Sequence, residues 1–185
     1  MRARILISFV VLCVAATFAV AQKRGTKEAR PSPNAAVEQT IGTTDASVTY
    51  GRPAVKGREV WGKLVPFGEV WRTGANEATT ITVSKDVLVE GQKLPAGTYA
   101  LFTIPTQTEW TWIFSKNAGQ WGAFSYKKEE DVLRVTSKPH PAEHAHEWLT
   151  FVFEDLKPDS AKLVLHWEKL EVPLRIQEAQ AAAAK

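Results

Sequence analysis

The residues best equipped for chemistry lie in one short run, Trp71-Arg72-Thr73-Gly74-Ala75-Asn76-Glu77. Arg72 offers a planar fork of donors, Asn76 both donor and acceptor, and Glu77 a carboxylate. Arg52, Arg58 and Trp61 stand upstream of the run, and Gln120, Trp121 and Tyr126 downstream. Together these side chains make up a polar-aromatic pocket for a sugar, a small anion or a peptide end. CH groups pack on an indole face while hydroxyls or oxyanions meet amide and guanidinium donors. The same residues also read as a buried network, with Arg72 paired to Glu77 and Asn76 bonded to loop backbone, because a long connection has no ladder to satisfy its own polar groups. The two readings are compatible, since a rigid network at a loop base can support a site above it.

Two other chemistries have fewer residues behind them. His140-Pro141-Ala142-Glu143-His144-Ala145-His146 contains a His-x-His whose rings share one face if the chain is extended. His140, His144 and His146 are therefore candidate ligands for zinc or copper, although they lie in what reads as a Pro-flanked connection, without an HExxH helix pattern. His166 is expected to face solvent or to hydrogen-bond beside Trp167. No residue is assigned a catalytic role: the chain has no GxSxG elbow, no P-loop and no dinucleotide fingerprint. A hydrolase reading would use Glu77 as acid or base, opposite Asp131 or Glu69, with Arg52 or Arg72 steering an anionic substrate. No cofactor is implied.

The elements that must position these groups read as strands. Short alternating runs rich in β-branched and aromatic residues, separated by Gly, Pro, Asn and Asp, cover 37–41, 46–50, 79–83, 87–89, 98–104, 109–115, 132–136, 148–153, 161–167 and 172–176. Trp110, Trp112, Trp148 and Trp167 lie in these runs and read as core. Trp61, Trp71 and Trp121 lie in Gly-containing irregular segments and read as candidates for a ligand surface. No helix long enough for a βαβ crossover separates the strands. The expected fold is all-β, an antiparallel β-sandwich or jelly-roll-like arrangement. One stretch, Gly51 to Ala78, breaks the rhythm with glycines, prolines, tryptophans and arginines, and Arg58 to Leu64 within it has room for one or two helical turns. Its many apolar residues predict a long ordered irregular loop anchored on the sheets, the kind of element that carries binding groups on a rigid scaffold.

The stretch SVTYGRPAVKGREVWGKLVPFGEVWRTGANEATTITVSKDVLVEGQKLPAGTYALFTIP, Ser47 to Pro105, resembles the family called DUF2911, a bacterial domain of unknown function. The likeness continues through Glu109-Trp110-Thr111, Gly119 to Tyr126 and Asp131 to Val135, and more loosely to the strands near Trp167. The resemblance implies an exported bacterial domain and carries no catalytic or ligand residues with it.

The ends bound the domain. Met1-Arg2-Ala3-Arg4, an apolar stretch to Val20 and Ala19-Val20-Ala21 have the three parts of a secretory signal peptide. Residues 1–21 are thus expected to be a signal peptide, 22–34 a flexible leader, 35–176 the β-sandwich domain and 177–185 a disordered Ala-rich tail. Cleavage after Ala21 would remove Cys13, the single cysteine, leaving no thiol for a disulfide, a nucleophile or a metal. It would also remove Arg2 and Arg4 from a chain with 23 basic and 20 acidic residues. So small an excess is no argument for nucleic-acid binding. The expected setting is periplasmic or extracellular, with no stable membrane span after cleavage and with a small polar ligand, a glycan or a cell-envelope component as partner.

Overall fold

The structure is a computed structural model and describes residues 29–179. The signal-peptide reading of 1–21 and residues 180–185 of the tail lie outside the described residues. Ten strands form two antiparallel sheets. They are β1 (Asn34–Ile41), β2 (Thr44–Gly51), β3 (Thr80–Val83), β4 (Val87–Val89), β5 (Gln92–Leu94), β6 (Gly97–Ile104), β7 (Trp110–Ser115), β8 (Asp131–Ser137), β9 (His140–Glu154) and β10 (Ser160–Glu178). One sheet has the order β1-β2-β3-β6-β7-β8 and the other β5-β4-β10-β9. β1 lies against β9 and β5 against β8, so the sheets approach each other along both margins of an all-β sandwich.

Alternation explains the core. On β2 and β3 the inward side chains are Ala46, Val48, Tyr50, Ile81 and Val83, all buried, with Thr and Ser between them. On β7 the inward row is Trp110, Trp112 and Phe114, buried against β8 and the opposite sheet. Ile113 points the other way and is buried too. It joins Ala78, Ala100 and Phe102 in a second cluster roofed by Val70, Ala123 and Tyr126, residues of the irregular segments.

Several elements differ from the sequence expectation. β9 begins at His140, so the His-rich run is strand, not connection. β9 is an edge strand, where Pro141 costs no ladder bond on its open side. The runs 161–167 and 172–176 are one strand, β10. Glu168 sits there at φ 55° beside a register shift, and the inward row changes from Leu163, Leu165 and Trp167 to Val172, Leu174 and Ile176. Pro173 falls where β10 has left β9 and has yet to meet β4, a stretch where a missing N–H is tolerated. Gln177 and Glu178, read as the start of the tail, pair with Leu88 and Val87. Trp148, read as core, is 38% exposed, because Leu149 and Phe151 take the inward positions of β9.

Candidate functional site

The loop between β2 and β3 is irregular and tightly held. It leaves β2 alongside β9: Leu149 N–H donates to the Pro53 carbonyl at 3.0 Å, and Val55 N–H to the Glu147 carbonyl at 2.8 Å. After a turn with Lys56 and Gly57 at positive φ, Arg58 folds back and donates to the carbonyls of Val55 (3.0 Å) and Ala54 (2.6 Å). Arg58 to Leu64 forms turns, not the helical turns the sequence allowed, because Trp61 and Val65 bridge across Gly62–Leu64 and both enter the core cluster. Trp71 then exchanges two backbone bonds with Thr103 of β6, at 2.8 and 2.9 Å. The return passes through Thr73, at φ 54°, whose hydroxyl meets that of Thr103 at 3.1 Å and whose carbonyl accepts from the Thr79 hydroxyl at 2.8 Å.

Asn76, Glu77 and Ala78 pair with the segment after β7. Ala78 N–H donates to the Gln120 carbonyl at 3.0 Å, Gly122 N–H to the Asn76 carbonyl at 3.1 Å, and Glu77 bridges Trp121. The two irregular segments singled out in the sequence are therefore joined backbone to backbone. Their side chains diverge.

Arg58, Trp71, Arg72 and Asn76 line one pocket of about 280 Å³, with Trp167, Leu64 and Val65 among the other walls. The Arg72 guanidinium makes no hydrogen bond or ion pair with any described residue, and its Nε is buried without an acceptor, while the Arg72 carbonyl accepts from Thr79 N–H at 3.2 Å. Burial pulls its pKa below the ordinary guanidinium value, with no carboxylate opposing the shift. The anticipated Arg72–Glu77 pair is absent. Glu77 is instead 6% exposed and takes Arg30 Nη1 on both oxygens, at 2.9 and 3.1 Å. Asn76 donates to the Ser32 carbonyl at 3.0 Å, so it does bond backbone, although that of the N-terminal segment, and Ser32 forms part of the pocket wall. Arg52 N–H adds a bond to the Pro33 carbonyl at 2.8 Å. Arg30 to Pro33, read as flexible leader, is thus tied down by three contacts.

The remaining candidates lie elsewhere. The Arg52 guanidinium is spent on β9, donating to the Leu149 carbonyl (2.9 Å) and the Thr150 hydroxyl (2.6 Å). Trp61 packs edge-on against Trp110 and Trp167, with centroids 5.0 and 5.6 Å away, and Trp71 stacks on Trp167 at 5.8 Å. Trp61 and Trp71, read as surface aromatics, are therefore half-buried members of a four-tryptophan cluster. Only Trp71 of the two also reaches the pocket. Gln120 is buried and donates to the Asn117 carbonyl at 2.9 Å, while Trp121 is 57% exposed. Tyr126 donates to Asp131 at 2.7 Å, and the Arg134 Nε reaches the same carboxylate oxygen at 2.7 Å. Desolvation and then Asp131 raise the Tyr126 pKa. Trp167 is the pocket residue that sequence reasoning assigned wholly to the core. Nothing in strand alternation marks a core tryptophan whose rim also meets a loop cavity.

The histidines do not assemble. His140 pairs with Glu171 and His146 with Glu168, with one register shift between the two pairs, and His144 stands out in solvent beside Glu143. Among the described residues no three His, Cys, Asp or Glu side chains are grouped to hold a metal. His146 instead lies 4.8 Å, ring to ring, from His166, whose Nε2 meets Glu154 at 2.8 Å.

A two-sheet antiparallel sandwich, with one ordered loop walling a small basic-aromatic pocket, places this chain among the β-sandwich domains. The chain belongs to the DUF2911 family, described as a protein of unknown function, whose pattern it matches over residues 32–176. No curated protein and no solved structure matches it.

Proposed function

We propose that the chain is an exported binding domain that holds a small polar ligand in the pocket of the β2–β3 loop. The observation that carries the reading is the convergence of Arg58, Arg72 and Asn76 with Trp71 on one concavity. Its volume of about 280 Å³ is near the lower end of the roughly 300–1,000 Å³ usual for small-molecule sites. The loop's backbone is bonded to both sheets along its length, so the pocket is preformed, and a ligand need not pay to order it. The hydrolase alternative loses support at Glu77. That carboxylate is buried in an ion pair and does not line the pocket, and no other carboxylate among the described residues lines it to serve as acid or base.

A thermal-shift screen of the chain from Gln22 against glycans, muropeptides, small anions and divalent metals tests the proposal. A true ligand raises the melting temperature with its concentration by mass action. The shift should vanish in an Arg72→Ala variant of wild-type stability. No shift from any class would remove the binding reading.

A further inference from the structure

The donor and acceptor inventory of the pocket narrows what it can hold. Among the described residues that line it there is no Asp or Glu. Of the five N–H donors a guanidinium carries, Arg58 spends two on the Val55 and Ala54 carbonyls and Arg72 none on any described residue. No carboxylate lies within ion-pair distance of either among the described residues. The indole N–H of Trp167, a residue 1% exposed, is buried without an acceptor. Acceptors are scarce by comparison. Asn76 commits one of its two amide N–H groups to Ser32 and keeps its oxygen, and the Gly74 carbonyl already takes the Trp71 indole N–H at 3.2 Å. A neutral polyol brings as many hydroxyl hydrogens as oxygens and would leave most of its donors unmet here. An oxyanion brings acceptors alone.

We infer that the pocket is an anion site, in which Arg72 and Arg58 take a carboxylate or phosphate group and the Trp71–Trp167 wall takes the apolar or planar body that carries it. The inference rests on the binding reading above and names the class of ligand. Two positive side chains without counter-charge among the described residues, held in one concavity, raise the local potential and favour a negative guest over a neutral one of equal shape. A guanidinium fork matches two oxygens of one carboxylate or phosphate in a way that a lysine would not.

The probes are benzoate, the isosteric but uncharged benzamide, and inorganic phosphate, titrated while tryptophan fluorescence and melting temperature are followed. Benzoate should bind about tenfold or more tightly than benzamide, as expected when a charge-assisted fork is lost. Arg72→Gln should erase that preference while leaving the unliganded melting temperature unchanged. Should that variant fold poorly, Arg58→Gln serves as the second test and should weaken benzoate without affecting benzamide. Phosphate binding in place of benzoate assigns a phosphate group, and benzoate binding without phosphate assigns a carboxylate. Equal binding of benzoate and benzamide, or no binding of either anion, overturns the inference. In that event a neutral glycan that stabilises the wild type but not Arg72→Ala keeps the pocket as a binding site, whereas silence from every class sinks both.

Discussion

Gly51 and Ala75 lie main chain against main chain. The Ala75 N–H donates to the Gly51 carbonyl at 3.2 Å, and a methyl placed on Gly51 would sit 2.3 Å from the Ala75 carbonyl oxygen. The obstacle is backbone, so no rotamer change relieves it. Gly51→Ala should push the Thr73–Asn76 return away from the end of β2, at a cost of about 1–3 kcal/mol typical of overpacking. Urea denaturation should show a lower midpoint at unchanged slope. A midpoint equal to that of wild type would mean the loop base is soft and the pocket not preformed.

Trp71 and Trp121 were equivalent as sequence, and the structure separates them. Trp71 stacks on Trp167 and contacts Trp110, so Trp71→Ala opens a hole beside two core tryptophans and should cost about 3–5 kcal/mol. Trp121 is 57% exposed, and Trp121→Ala should stay within about 0.5 kcal/mol of wild type. Equilibrium unfolding of the two variants side by side checks the contrast. Comparable losses would contradict this division.

What was legible in the sequence follows periodicity. β2, β3 and β7 could be placed because Val48/Tyr50, Ile81/Val83 and Trp110/Trp112/Phe114 repeat every second residue, and burial obeys that repeat. The loop could be recognised as ordered because its apolar residues had to go somewhere, and Val60 and Val65 are buried. The failures share one cause, which is that tertiary partners leave no local trace. Arg30 reaches Glu77 across 47 positions, so Arg72 looked like the natural mate of a carboxylate five residues on. Trp148 sits in a run with apolar residues at both parities, and only the opposite sheet decides that Leu149 and Phe151 turn inward. The bulge at Glu168 hid the continuity of β10, since the inward row changes parity there.

The Arg30–Glu77 pair predicts that the segment before β1 contributes to stability. Glu77 is nearly inaccessible while Arg30 keeps a fifth of its side chain in water. Loss of either partner should therefore cost about 1.5–3 kcal/mol, the range for hydrogen bonds to charged groups. The double variant Arg30→Ala/Glu77→Gln should lose less than the two single losses combined, with a coupling of at least about 0.5 kcal/mol. A double-mutant cycle in urea measures it, and strict additivity would show that the two side chains do not interact in solution. Ligand binding in the pocket should survive Glu77→Gln, because Glu77 is not one of its walls.

The His146–His166 pair predicts the sign of a pH dependence. Desolvation lowers the His146 pKa below its ordinary 6.5, helped by His166 and His144 and opposed by Glu171 and Glu154. In the window between the folded and unfolded values the unfolded chain binds more protons at this site, so stability rises with pH there. The contribution of His146 is thus fully present above the unfolded pKa of about 6.5. It erodes as pH falls through that value and levels off below the folded one. Melting temperatures of wild type and His146→Gln, taken from about pH 5 to pH 8, isolate this residue from the other carboxylates and histidines. The wild type should lose more than the variant on acidification, with the two curves parallel on the alkaline side. If the variant proves the more acid-sensitive of the two, the imidazole at position 146 is stabilised as a cation in the folded chain, and the packing of its ring against His166 is not what sets its protonation.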